Sequence, residues 1–159
     1  ALKSHNCPSV LALSRQSLPM IRSSYKKNLT HNGENFIKKD EKFQITIISS
    51  GSEVSLAINV HNLLKEKKIY SNIVSMPCFE LFENQNKNYK ETVLGNKPRV
   101  VIEASSSASW YRYLRKNDLS FCIDRFGESG KGENLFNFFG FESEKIFSKI
   151  LKRYFCDKS

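Results

Sequence analysis

The chain has 159 residues, is 40% hydrophobic and 12% aromatic, and carries a net charge of +9 with a pI near 9.4. That length suits one domain, or one domain with a piece of another, and can bury a substantial core. No apolar run reaches the length of a membrane span, so no membrane association is expected.

The charge would suit an acidic partner such as nucleic acid. Yet the lysines alternate with asparagines, make no tight basic stripe, and sit beside no aromatic pair placed to stack bases. A dispersed, solvated surface is the reading, and no nucleic-acid partner is expected. Four cysteines, Cys7, Cys78, Cys122 and Cys156, are far apart and form no CxxC. Without a signal-peptide pattern at the ALKSHN start, reduced thiols and a cytoplasmic location are expected. That start reads as the tail of a helix, so the chain is expected to be a piece of a longer protein.

In chain order, the first feature is ALSRQSLP (Ala12 to Pro19), which follows the apolar run Val10 to Leu13. Arg15 is thereby expected at the exit of a buried strand, just before a turn. A guanidinium held there can fork onto a phosphate or carboxylate, or pair with a structural acid. Arg22 to Asp40 is polar and reads as a linker, with room for a short strand at Asn35 to Lys38. Four β-like runs then follow: Phe43 to Ser49, Ile69 to Met76, Arg99 to Glu103 and Leu119 to Ile123. Between the first two, Glu53 to Lys67 repeats apolar residues along one helical face, with Ser52 as the expected cap. A final helix over Ser143 to Phe155 is expected to bury Phe147, Ile150, Leu151 and Tyr154. Strands alternating with helices predict an α/β fold, a mainly parallel, mixed sheet flanked by helices.

Few residues suggest chemistry. GSEVSLA (Gly51 to Ala57) joins a strand to a helix start, where free backbone N–H groups can bind anions; it can equally be a plain capped turn. GESGKGEN (Gly127 to Asn134) lacks the spacing of a phosphate loop and reads as a turn before a helix. His5, His31 and His61 have no ligand-spaced neighbours. Asp124 and Arg125 follow a strand and read as structural. Glu103 ends VVIE where catalytic carboxylates can sit, but no local partner can be named. No catalytic, cofactor-binding or metal residue is assigned.

Taken together, ALSRQSLP, GSEVSLA, VSMPCFELFENQ, Tyr89 with Val93, Glu103, Trp110, IDRFGESG and FFGFE run in the order seen in transketolases. The chain resembles the C-terminal end of that family over nearly its whole length. It departs from the family where SSSAS (Ser105 to Ser109) replaces a glycine-containing stretch and where a proline after IDRFG is missing. The resemblance implies residues 1–22 as the end of the pyrimidine-binding domain, 23–34 as linker and 35–159 as the transketolase C-terminal domain. It implies that Arg15 contacts the sugar phosphate. It implies a full-length homodimeric enzyme of the pentose phosphate pathway that uses thiamine diphosphate and a divalent cation, Mg or Ca. That enzyme moves a two-carbon ketol unit from a ketose phosphate to an aldose phosphate. The piece itself is expected to support structure and dimer contacts, to be inactive alone and to hold no cofactor. The alternatives are a dihydroxyacetone synthase or another thiamine-dependent enzyme, or a regulatory anion-binding module.

Overall fold

A computed structural model of the chain describes residues 6, 8–14, 17–21 and 31–156. Five strands form one sheet in the order β1-β3-β2-β4-β5. They are β1 (Asn35–Lys38), β2 (Ile45–Ser49), β3 (Ser71–Ser75), β4 (Arg99–Ile102) and β5 (Leu119–Phe121). All neighbours run parallel except β1, which pairs antiparallel with β3. The mixed, mainly parallel sheet expected from the sequence is therefore present, including the short strand at Asn35–Lys38.

Strand β2 is central and every residue in it is buried, as a strand covered on both faces requires. Alternation divides its side chains between two cores. Ile45, Ile47, Ile73, Val100 and Ile102 face α1 (Glu53–Glu66) and α5 (Ser143–Tyr154). Ile48, Val74 and Val101 face Phe82 of α2 (Phe79–Glu83), Val93 and Leu94 of α3 (Lys87–Leu94), and the buried Trp110 and Tyr113. The sequence pattern did not single out α2 and α3 because both are short, at five and eight residues. Asn86 starts α3 by accepting the Tyr89 N–H at 2.9 Å.

The final helix is less deeply set than expected. Ile146 and Ile150 are fully buried, whereas Phe147, Leu151 and Tyr154 are half-buried against the same core. The helix lies over α1 and the sheet edge at β5, so its outer flank meets solvent.

The apolar run before Arg15 also departs from expectation. Val10, Leu11 and Leu13 are 94%, 70% and 82% exposed and belong to no strand. A strand needs a neighbour to satisfy its backbone, and among the described residues none pairs with this run. The segment read as a linker is more integrated than its polarity suggests, since Glu34 and Asn35 at its end are buried.

Candidate functional site: the strand-end cleft

In parallel α/β sheets, ligands gather beyond the carboxyl ends of the strands. Here Ser49 of β2 stands in register with Ile102 of β4, so the next residues, Ser50 and Glu103, leave the sheet side by side. The Ser50 N–H and hydroxyl both donate to Glu103 Oε2 at 2.9 Å. The Glu103 N–H donates to the Phe121 carbonyl at 3.0 Å, which ties it to β5. The buried Glu53, in the first turn of α1, adds a second acid to its surroundings. Burial first, and then the like charge of Glu53, pushes the Glu103 carboxyl up to about 7.

Ser52 does not cap α1 as expected. Its backbone is already helical, and its hydroxyl donates instead to Glu53 Oε1 at 2.9 Å. The turn read as a possible anion site is thus engaged by the protein's own carboxylates. Ser50 N–H is held by Glu103, and Glu53 occupies the positive end of the helix. A phosphate there would meet two acids, so the structure offers no support for an anion-binding module at Gly51 to Glu53.

Glu103 and Ser50 form one wall of a cleft of about 230 Å³, open to solvent, that is lined also by Met76, Phe79, Glu80 and Trp110. The Trp110 indole N–H donates to Ser105 Oγ at 3.3 Å, and its ring meets Phe79 edge-on at 4.7 Å. Among the described residues, no basic side chain lines this cleft.

Other residues weighed from the sequence take structural roles. Asp124 accepts from Ser107 N–H (2.8 Å), Ser107 Oγ (2.7 Å) and Ser106 Oγ (3.3 Å). These bonds hold its carboxyl below the usual range and pin the exit of β5 to the turn after β4. Arg125 pairs with Glu128 at 2.6 Å and covers the rings of Phe138 and Phe139. GESGKGEN leads into α4 (Gly132–Phe139), as expected of a segment before a helix. Cys122 is half-buried, and burial drives its thiol up to about 12, which fits a small core hydrophobe. His61 is buried on α1 with Nδ1 2.7 Å from Ser71 Oγ. Cys7, His5 and Arg15 lie outside the described residues.

One buried acid had no sequence signal. Glu34 is 3% exposed, and its Oε1 accepts from the Tyr89 hydroxyl, which itself accepts from Asn32 Nδ2 at 2.8 Å. Burial raises the Glu34 carboxyl above its ordinary value. An acid inside the polar string HNGEN looks solvated until α3 folds over it.

Residues 33–142 match the family model of the transketolase-like C-terminal domain. A curated transketolase from Aquifex aeolicus is 36% identical over 160 residues, covering 98% of this chain and 23% of its own length. The crystal structure of a transketolase variant from Pichia stipitis superposes with a TM-score of 0.79 at 31% identity, over 88% of this chain and 20% of that one. A Pichia stipitis transketolase in complex with sedoheptulose 7-phosphate superposes with a TM-score of 0.72, also at 31% identity, over 79% of this chain and 18% of that one. The fold is that of a transketolase-type C-terminal domain. The chain belongs to the transketolase family. It spans less than a quarter of the length of these relatives.

Proposed function

We propose that this chain is the C-terminal part of a transketolase that transfers a two-carbon ketol unit from a ketose phosphate to an aldose phosphate. The observation that carries this reading is the near-complete alignment of the chain to transketolases, with the family model lying on the folded domain. On this reading residues 1–22 finish the pyrimidine-binding domain, 23–34 link, and 35–159 form the C-terminal domain. The whole protein is then a cytoplasmic homodimer in the pentose phosphate pathway.

Thiamine diphosphate and its divalent cation do not fit the described residues. No group of His, Cys, Asp and Glu among them could hold a metal ion. The strand-end cleft turns Glu103 and Glu80, not cations, toward any diphosphate. In the proposed enzyme, cofactor and metal are held by the part of the protein that the relatives have beyond this alignment. The domain described here contributes support and dimer contacts, and the chain alone is inactive.

Arg15 is proposed to contact the phosphate of the sugar substrate. A guanidinium–phosphate contact is a charge-assisted hydrogen bond, worth about 1.5–3 kcal/mol. That is roughly a 10- to 150-fold effect on kcat/KM. Arg15→Ala in the full-length enzyme should lose that factor on a phosphorylated sugar and far less on its unphosphorylated counterpart. Arg15→Lys, which keeps the charge and loses the flat fork, should recover part of it. Equal losses on both substrates would show Arg15 to be structural.

A further inference from the structure

We propose that Asn32 is a site of spontaneous covalent modification, and that its conversion to an acid irreversibly releases the segment before β1 from α3. The chemistry lies in the Asn32–Gly33 pair itself, and no other asparagine of the chain precedes a glycine. The backbone nitrogen of Gly33 attacks the side-chain carbonyl carbon of Asn32. A carbon–nitrogen bond forms, the side-chain amide leaves as ammonia, and a cyclic succinimide results. Water then opens the ring at either carbonyl and gives aspartate or isoaspartate in place of Asn32. The step needs water alone, with no oxidant, reductant or enzyme. Glycine leaves the attack unhindered because it has no Cβ beside the nitrogen.

The fold guards both reacting groups. Asn32 Nδ2 donates to the Tyr89 hydroxyl at 2.8 Å, and that hydroxyl donates to Glu34 Oε1. A phenol has one proton. With it given to Glu34, the Tyr89 oxygen only accepts from Asn32, so the amide is held with its nitrogen toward α3. Gly33 is held from the other side. Its φ is +86°, and a Cβ on it would stand 2.3 Å from the Phe82 nitrogen of α2. Its carbonyl accepts the Cys78 N–H at 3.2 Å. Ring closure carries the Asn32 side chain away from Tyr89, so it requires this junction to open. The strand that follows, β1, has four residues and lies at the edge of the sheet. Short edge elements open locally, at a cost well below that of global unfolding.

The product cannot dock again. Aspartate has no side-chain N–H to give Tyr89, and it sets a second carboxylate beside a hydroxyl whose single proton already serves Glu34. Glu34 is 3% exposed, and among the described residues its Oε2 has no hydrogen-bond partner. A second negative charge therefore falls beside a carboxyl that is already short of donors. Isoaspartate also lengthens the main chain by a methylene directly before Gly33, where α2 leaves no room. An opening that ends in cyclisation is thus a one-way step.

The test follows Asn32 by peptide mass spectrometry while the chain is incubated in warm, mildly alkaline buffer. In the folded wild type Asn32 should convert ahead of every other asparagine, yet more slowly than in the same chain in urea. Tyr89→Phe removes the guard and should convert roughly 2- to 10-fold faster, the factor that one neutral hydrogen bond sets on an opening equilibrium. Asn32→Asp, which mimics the product, should melt roughly 2–6 °C below the wild type, and its amides over 31–38 should exchange faster with deuterium. The converted wild type, separated by its charge, should show the same losses and carries this arm if Asn32→Asp fails to fold. If Tyr89→Phe fails to fold, the ratio of rates in buffer and in urea tests the guard. Equal rates in folded wild type and folded Tyr89→Phe, or in buffer and in urea, would overturn the proposal. So would a folded wild type that stays unconverted while the chain in urea converts fully, or a converted chain that melts and exchanges like the wild type. The site belongs to the described domain and holds whatever reaction the whole protein performs.

Discussion

Gly33 shows how one residue can fix the entry into the domain. Its φ is +86°, and a Cβ there would stand 2.3 Å from both the Cys78 carbonyl oxygen and the Phe82 backbone nitrogen. The Gly33 carbonyl in turn accepts the Cys78 N–H at 3.2 Å. Gly33→Ala should cost roughly 1–3 kcal/mol from the backbone conformation alone, with the clash against α2 added. A urea unfolding midpoint unchanged by the substitution would show that the close approach is not real. At this scale the sequence was only partly legible. Glu103 could be placed at a strand end, but its partner Ser50 lies 53 positions earlier. Only the parallel register of β2 with β4 brings the two together, and strand order is not a local property. The same holds for Glu34 and Tyr89. Cys122 and Asp124 were readable, because a thiol in an apolar strand and an acid just past it have few other uses.

The helix ends show what local sequence does encode. Two helices close with the same pair of hydrogen bonds. After α1, the Lys68 N–H donates to Lys65 O at 2.9 Å and the Ile69 N–H to Leu64 O at 3.0 Å. After α4, the Gly140 N–H donates to Asn137 O at 3.1 Å and the Phe141 N–H to Phe136 O at 2.8 Å. Each stop turns through a left-handed residue and seats an apolar pair, Leu64 with Ile69 and Phe136 with Phe141. FFGFE is readable as such a stop, with glycine at the left-handed position. KEKKIY is not, since Lys68 holds φ +60°. An L-residue in that region costs about 1–2 kcal/mol, of which glycine's extra chain entropy takes back about 0.5–1. Lys68→Gly should therefore stabilise the chain by about 0.5–1 kcal/mol. A melting temperature that falls would contradict this. The last helix was readable from its periodicity. The depth of each residue was not, because depth depends on where the sheet ends. Ile150, fully buried between α1 and the sheet, should cost about 2–5 kcal/mol when cut to alanine. The half-buried Leu151 should cost less. Equal losses at both, measured by urea unfolding, would mean that the helix sits differently.

At the scale of the whole molecule, the alternation of strands and helices was enough to predict the sheet and its flanking layers. It did not contain the antiparallel placement of β1 beside β3, which the short polar strand gives no reason to expect. The family was legible through the succession of its motifs rather than through any constellation of reactive groups. The described domain contains no metal-binding cluster, and its strand-end cleft is acidic. The most direct test is ketol transfer by the full-length protein, supplied with thiamine diphosphate and magnesium, a ketose phosphate donor and an aldose phosphate acceptor. The account predicts a chain-lengthened ketose phosphate product from the full-length protein and none from residues 1–159 alone. Failure of the full-length, folded protein to form that product, or its formation by residues 1–159 alone, would contradict it.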